Sequence, residues 1–411
     1  MNEWYELAPL TARQRRDLAA NPQVDRLTGW TGAGTTLFLL HDLPDGGVDS
    51  CLSLYRAEYQ YPSGMSVFTP VSRSVRACIR WESDSGETRL CVAAPELYEA
   101  CVEYLSEADS LEAHVVSPQT SDATVRPLRS SSTPTQYTAH VAHIRHRILA
   151  GDLFQANLSR ELTVEWPGAT RADVAGFAER LLAQTNAPFG AVLHEGTHRT
   201  IISASPERFF RVERLPDGRL KVIAEPIKGT RPRHADPVID QAAARELLAS
   251  EKDRAENVMI ADLVRNDLSL VCEDDSVTVE RLCELRSFAS VHHLVTTVTG
   301  VLRPGLTALD ALRAQFPCGS ITGAPKLAAM DLIAELEQRE RGIYCGAIGY
   351  VAADGSADFS VAIRTAIVDY YDGGVTIRYG VGGGVTALSD PEAEYQETED
   401  KAADFLRALR P

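Results

Sequence analysis

The residues of this chain best suited to chemistry are one lysine and two pairs of carboxylates. The sequence has 41 lysines plus arginines, yet lysine occurs at only five positions: 221, 228, 252, 326 and 401. Elsewhere the chain writes positive charge as arginine, so each lysine asks what a guanidinium fails to do there. An ammonium group can lose its proton when desolvated and then act as base or nucleophile; a guanidinium cannot. Lys228 lies in Ala-Glu-Pro-Ile-Lys-Gly-Thr-Arg-Pro-Arg (224–233), which reads as a rigid turn bounded by Pro and Gly after a strand-like run. It is either a displayed nucleophile or a solvated loop lysine.

The carboxylates come in matched pairs. Asp253 and Glu256, and again Glu394 and Glu397, stand three residues apart, so each pair shares a helix face. If the two helices face each other, the four acids form an oxygen-rich pocket for Mg²⁺, which keeps several waters and needs few protein ligands. Otherwise they are two solvated acidic faces. Glu207, in Ser-Pro-Glu-Arg-Phe (205–209), sits at a strand end and is placed as a general acid or base, or in a surface turn. Cys-Gly-Ser-Ile-Thr-Gly-Ala-Pro-Lys (318–326) opens a helix whose first backbone N–H groups attract carboxylate or phosphate, or are merely capped. Gly-Val-Gly-Gly-Gly (380–384) either bulges a sheet or lets a ligand approach the backbone. Arg364 interrupts an apolar strand and faces inward to a carboxylate or outward to solvent.

The elements that must hold these groups are legible as periodicities. Thr36–Leu40, Ser74–Arg80 and Thr88–Ala93 read as strands, and Arg129–Thr135 as a linker. Tyr137, Val141, Ile144 and Ile148 mark a helix that stops at Gly151, with His140, His143 and His146 on its solvated face. Strands follow at Phe154–Val164, Phe189–Leu193, Thr200–Ala204, Phe209–Val212 and Leu220–Ala224, then a helical segment over Asp240–Asp267. Further strands are expected at Ser276–Leu285, His293–Leu302, Tyr344–Ala352, Ser360–Asp369 and Gly374–Gly380. Helices are expected at Leu306–Gln315, Pro325–Glu337 and Pro391–Arg410. Strands in antiparallel-looking runs predict an α+β fold with large antiparallel sheets, not a Rossmann or barrel fold.

Composition excludes several classes. The 411 residues, 44% hydrophobic and 24% charged, describe a globular protein with ample core. A net charge of −16 argues against nucleic acid or an anionic membrane as partner. No apolar run is long enough to span a bilayer, and Met-Asn-Glu-Trp-Tyr-Glu-Leu lacks the features of a secretory signal. The eight scattered cysteines form no Cys-x-x-Cys, and with these features the expected location is cytoplasmic.

Taken in order, these motifs, with Asp-Leu-Val-Arg-Asn-Asp (262–267) and Glu-Tyr-Gln-Glu-Thr (394–398), resemble the chorismate-utilising enzymes: the large subunits of anthranilate and aminodeoxychorismate synthase, isochorismate synthase and salicylate synthase. The resemblance runs from about Gln136 to Leu409. It implies a sandwich of antiparallel sheets with helices outside, as in anthranilate synthase component I. A chorismate-binding catalytic domain would span 136–411, with a strand-rich region, 1–125, integrated with its core. It implies Mg²⁺ on Glu256 and Glu397, with Glu394 and Asp253 in the same cluster. Chorismate would be bound by Gly229, Thr230, Thr322, Tyr350, Arg364, Gly382, Gly383, Gly384 and Lys401. His293, in Val-His-His-Leu-Val, matches the active-site histidine near the departing group, and Glu207 the general acid/base that expels the ring hydroxyl.

Two positions separate the branches. Isochorismate and salicylate synthases resemble one another in a water-activating lysine within Lys-x-x-Leu-Ser-Arg; here the stretch reads Gln155-Ala-Asn-Leu-Ser-Arg160. Anthranilate synthases typically carry alanine where this chain carries Lys228, a residue that resembles aminodeoxychorismate synthase component I. In that branch the lysine amine attacks ring carbon 2 while the hydroxyl leaves carbon 4, and ammonia then adds at carbon 4 and expels the lysine. A neutral amine is required, which a dry site or a neighbouring positive charge would favour. No cysteine stands in a Gly-x-Cys-x-Gly elbow, so ammonia is expected from a separate glutamine amidotransferase subunit. Anthranilate synthase component I is the alternative reading within the family, and a catalytically silent regulatory or binding subunit the alternative outside enzymes.

Overall fold

The computed structural model describes residues 128–288 and 291–410, and, before them, the strands given below with a few single positions. Two large sheets form the frame, and every strand pair among the described residues is antiparallel. The first runs Trp4–Leu7, Thr88–Val92, Ala77–Glu82, Thr35–Leu40, Val24–Thr28, Phe189–Glu195, Arg199–Ser205, Thr365–Tyr371, Gly374–Val385, Gln155–Pro167 and Gly323–Ala324, with Arg129–Ser130 beside Gln155–Pro167. The second runs Ile227–Pro232, Val291–Val301, Leu220–Ala224, Arg208–Arg214, Ala357–Val361, Gly342–Ala352, Leu52–Tyr59 and Pro70–Val75. Thr278–Ser287 pairs with the other edge of Val291–Val301.

The sheets pack face to face through Leu27, Leu37, Leu39, Ala191, Leu193 and Ile201 of the first and Ile343 and Ile348 of the second. Their outer faces are apolar too, and helices cover them. Over the first sheet lie α2 (Arg171–Thr185) and α7 (Pro391–Ala408), which bury Phe177, Leu181, Ala402 and Phe405 against Val164, Ile202, Val368 and Ile377. Over the second lie α4 (Glu251–Ser269) and α5 (Ala308–Gln315), which bury Ala261, Val264, Leu268 and Leu312 against Phe210, Val222, Val298 and Phe359. Two further helices, α1 (Pro134–Leu149) and α6 (Lys326–Glu337), close over Ala156, Leu158 and Val385, and α3 (Pro237–Ala249) precedes α4. This is the α+β sandwich with outer helices that the sequence and its resemblance predict.

The differences from the sequence expectations are local and have physical causes. The expected linker, Arg129–Thr135, is a short strand followed by a cap: Thr133 Oγ1 accepts the backbone N–H of Gln136 at 3.2 Å. The helical run over Asp240–Asp267 is two helices, broken where Ser250 leaves helical geometry and caps Asp253 N at 3.2 Å. Lys228 lies in a strand, not a turn; Ile227–Pro232 resumes after Pro226 the pairing that Leu220–Ala224 makes with Val291–Val301. The single strands expected at Ser74–Arg80 and Ser360–Asp369 each divide, one part entering each sheet. Helix α2 was not expected, although Val174, Phe177, Ala178 and Leu181 bury one face of it.

Candidate active site

The site forms where the glycine-rich end of Gly374–Val385 meets α7, α4 and the strand of Lys228. Glycine is required there by close approach. A Cβ on Gly383 would lie 3.0 Å from Glu394 Oε2 and 3.3 Å from Glu397 Oε1, so the first turns of α7 rest on bare backbone. Pairing continues without a bulge through Gly382, Gly383 and Gly384, which leaves close approach as the reading for these residues. Lys401, one turn beyond Glu397, donates to Gly382 O at 2.7 Å and to Glu397 Oε1 at 2.5 Å.

The acidic pairs share one field. Glu256 and Glu394 are both held above the ordinary carboxyl range, by burial first; the negative charge of Glu397 adds to both. Lys228 and Lys252 oppose the shift at Glu256; Ser389, Lys252 and Lys401 oppose it at Glu394. Glu394 is buried, and its Oε2 has no hydrogen-bond partner among the described residues. Asp253 is committed differently, since Arg231 Nη2 holds its Oδ2 at 3.3 Å. No three His, Cys, Asp or Glu side chains among the described residues converge closely enough to hold a metal ion alone.

Gly229 stands at φ +78°, in the left-handed region, and a Cβ there would meet Leu247 Cδ1 at 2.8 Å and Asp253 Cβ at 2.9 Å. It therefore lets the Lys228 strand touch α3 and α4. Asn257, beside Glu256, is fully buried and its Nδ2 donates to Leu294 O at 3.0 Å and Pro226 O at 3.4 Å, tying α4 to the strands of Lys228 and His293. The charge of Lys228 reaches both Glu207 and Glu256 and opposes the effect of burial at each.

Neighbouring residues divide by strand alternation. His292 is buried on one face between Ser287 Oγ (2.8 Å) and Asp240 Oδ1 (3.0 Å). His293 faces the other way; its Nδ1 lies 2.9 Å from Thr230 Oγ1 and 3.3 Å from Gly229 O. The carbonyl assigns the proton to Nδ1, so Nε2 is the acceptor. Burial lowers the pKa of His293, opposed by the Gly229 bond. Glu207 accepts from Ser320 Oγ at 2.7 Å; burial raises its pKa, against that bond and the charges of Lys228 and Lys401.

Several expected ligands sit differently. Tyr350 lies on the inner face of the second sheet, 6.2 Å from Trp30, and lines a cavity of about 570 Å³ with Phe189, Arg208 and Asp358. That departs from its expected place beside chorismate. The tyrosine against the glycine-rich strand is Tyr344, whose ring a Cβ on Gly380 would strike. Thr322 is buried and its hydroxyl donates to Cys318 O at 2.9 Å, bracing the turn rather than displaying a donor. Arg364 is not within a strand; it occupies the crossing between sheets at φ +52°, 3.9 Å from Asp404 of α7. Lys326 is a structural cation, donating to Asp267 Oδ2 at 2.7 Å and Gln315 O at 2.8 Å. Gln155 is fully buried; neither side-chain amide atom has a partner among the described residues, and Nε2 lies 2.9 Å from a Cβ placed on Gly384.

Known proteins resemble this chain in sequence and in fold. The sequence model of the chorismate binding enzyme family matches residues 27–407. Anthranilate synthase component 1 of Streptomyces coelicolor is 46% identical over 278 residues, 68% of this chain and 52% of that protein. Aminodeoxychorismate synthase component 1 of Salmonella typhimurium is 42% identical over 283 residues, 68% of this chain and 59% of that protein. The chain thus aligns with about half to three-fifths of the length of these relatives. Anthranilate synthase component I from Streptococcus pneumoniae superposes with a TM-score of 0.71 at 25% identity, covering 98% of this chain and 92% of that one. The menaquinone-specific isochorismate synthase of Escherichia coli shares the fold, with a TM-score of 0.76 at 18% identity over 100% of this chain and 95% of its own. By fold, by sequence and by the order of its site motifs, this chain belongs to the chorismate binding enzyme family.

Proposed function

We propose that this chain aminates chorismate to 4-amino-4-deoxychorismate with Lys228 as nucleophile, the activity of an aminodeoxychorismate synthase component I. The observation that carries the reading is Lys228 itself, held in a strand close enough to Glu207 for its charge to act on that acid, at the position where anthranilate synthases typically carry alanine. The Lys228 amine adds at ring carbon 2, the double bonds shift, and the carbon 4 hydroxyl leaves as water with a proton from Glu207. Ammonia then adds at carbon 4 and the lysine leaves carbon 2, restoring the ring and the free amine. His293, with Nε2 as acceptor, stands beside Gly229 and Thr230 as the base that manages protons around the departing group. Lys401 and Arg364 supply positive charge for the substrate's carboxylates.

Glu256, Glu397 and Glu394, with Asp253 behind them, would hold Mg²⁺. The partnerless Glu394 Oε2 and the gap kept by Gly383 suit a cation that completes its shell with water and substrate oxygens. Bound there, it would supply charge to orient the ring carboxylate. Glu256 and Glu394 have raised pKa values, so in the metal-free protein the stability they contribute is present at acid pH and is lost as pH rises through those raised values. The rise in melting temperature on adding Mg²⁺ should therefore grow as the pH rises above the ordinary carboxyl range. A pH-independent shift would remove these carboxylates from the metal site.

Ammonia is assigned to a glutamine amidotransferase partner. Purified chain with chorismate, Mg²⁺ and ammonium chloride should yield p-aminobenzoate only after a lyase is added. Immediate anthranilate fluorescence would instead favour the second reading, anthranilate synthase component I, which the 46% identity to a protein of that name supports. No turnover with ammonium at any pH would leave the silent regulatory subunit.

A further inference from the structure

We infer that Ser320 is the positioning residue for the acid of this reaction: its hydroxyl fixes the Glu207 carboxyl in one orientation, with the Cys318 thiol completing a hydrogen-bond chain behind it. The inference rests on the role of Glu207 given above. Ser320 is 5% exposed and its Oγ donates to Glu207 Oε1 at 2.7 Å. Cys318 Sγ stands 3.3 Å from the same Oγ. Burial pushes the Cys318 thiol up to about 12, so it remains S–H and donates to Ser320, which leaves the serine proton for the carboxylate.

Both ends of the chain are pinned. The turn Gly319–Ile321 is braced by the Thr322 hydroxyl on Cys318 O and by buried Arg341, whose Nη1 donates to Ile321 O at 2.9 Å. A Cβ on Gly319 would press on Leu263 Cδ1 at 3.2 Å, so the turn lies tight against α4. Across from it, Glu207 O accepts from Val361 N at 3.1 Å, and Ser205 Oγ bridges Glu207 N at 3.2 Å and Val361 O at 2.6 Å. The bond therefore joins two fixed loops and selects one rotamer of Glu207. Oε2 makes no hydrogen bond among the described residues, so the same bond decides which oxygen is left for the substrate hydroxyl. The other charged groups acting on Glu207 are Lys228, from its strand, and Lys401, from α7; both oppose burial, as Ser320 does.

The test uses the full chain in three forms: wild type, Ser320→Ala and Ser320→Thr. Glu207 is titrated by ¹³C NMR of glutamate-labelled protein, its signal assigned by loss in Glu207→Gln. Removing the donor leaves burial less opposed, so the Glu207 midpoint should move up by about one pH unit in Ser320→Ala and stay in place in Ser320→Thr. In ammonium-dependent turnover, kcat should fall about tenfold in Ser320→Ala with KM for chorismate little changed. The limb of the pH profile assigned to Glu207 should move by the same amount, and threonine should restore both. An unmoved midpoint in Ser320→Ala, or an equal shift in Ser320→Thr, overturns the inference. If wild type fails to turn over chorismate, the proposed function falls, while the titration still decides whether Ser320 holds Glu207. Should Ser320→Ala not fold, Ser320→Cys replaces it with the same criteria.

Discussion

Replacing Lys228 with alanine is expected to end formation of 4-amino-4-deoxychorismate, with a loss on the order of 10³-fold or more, the scale of removing a covalent nucleophile. Whatever product remains should be anthranilate, because ammonia attacking carbon 2 directly needs no lysine. The substitution leaves the fold intact on physical grounds: Lys228 is partly exposed, and its side chain makes no hydrogen bond or ion pair among the described residues. It does remove a positive charge felt by Glu207 and Glu256, so part of any loss is electrostatic. Lys228→Arg separates the two effects, since it keeps the charge but has no nucleophilic amine. Arginine activity near wild type would mean that Lys228 only positions substrate. Unchanged p-aminobenzoate yield in Lys228→Ala, measured with ammonium and added lyase, would remove Lys228 from the chemistry altogether.

Adjacent glycines give the second large effect, and they should part company. In Gly383→Ala the new methyl meets only the ends of two flexible side chains, Glu394 Oε2 and Glu397 Oε1. The protein should fold with a near-normal melting temperature, yet bind Mg²⁺ about 10- to 100-fold more weakly, because the carboxylates are displaced. In Gly382→Ala the methyl meets the Leu158 carbonyl oxygen and, at 2.7 Å, Ser159 Cβ, in a paired strand that has no room to shift. That variant should lose stability by about 1–3 kcal/mol or more, the range for overpacking. Calorimetry of metal binding beside thermal melts distinguishes them. If Gly383→Ala binds Mg²⁺ as wild type does, α7 does not bring metal ligands to this strand.

How much of the site could be read from the chain depends on how local each feature is. The Glu394 and Glu397 pair is legible because three residues on a helix always share a face, and α7 follows from its own periodicity. His293 and His292 are assigned opposite faces by alternation along a strand, and the hydrogen bonds follow that division. Tyr350, which the resemblance places beside chorismate, shows where alternation along a strand fails. Between Gly342 and Ala347 the pairing with Leu52–Tyr59 slips, and Cys345 takes φ +65°, so Tyr344 and Ala347 face the helices while Ile343, Ile348 and Tyr350 face the other sheet. A bulge inverts the parity of everything beyond it, and no residue type announces one here.

Arg364 illustrates the same limit. Its apolar neighbours describe a strand, but the chain changes sheets there, and only the packing of both sheets selects a positive φ for a side chain with a Cβ. Helix α2 carries the helical spacing in its apolar residues, but Gly176 and its many alanines blur the pattern.

By itself, then, the sequence determined the residue chemistry and the helix and strand periods: a lysine where arginine is the rule, acids in pairs at helical spacing, glycines ending a strand, and runs of strands with helices between them. These depend on neighbours within one or two turns. Only the tertiary structure decided which groups meet: Glu256 with Glu397 from helices more than a hundred residues apart, Glu207 with Ser320 from two separate loops, and Tyr344 rather than Tyr350 behind the glycines. Those meetings are set by sheet order and register, which arise from side-chain packing between distant segments and leave no trace in local spacing.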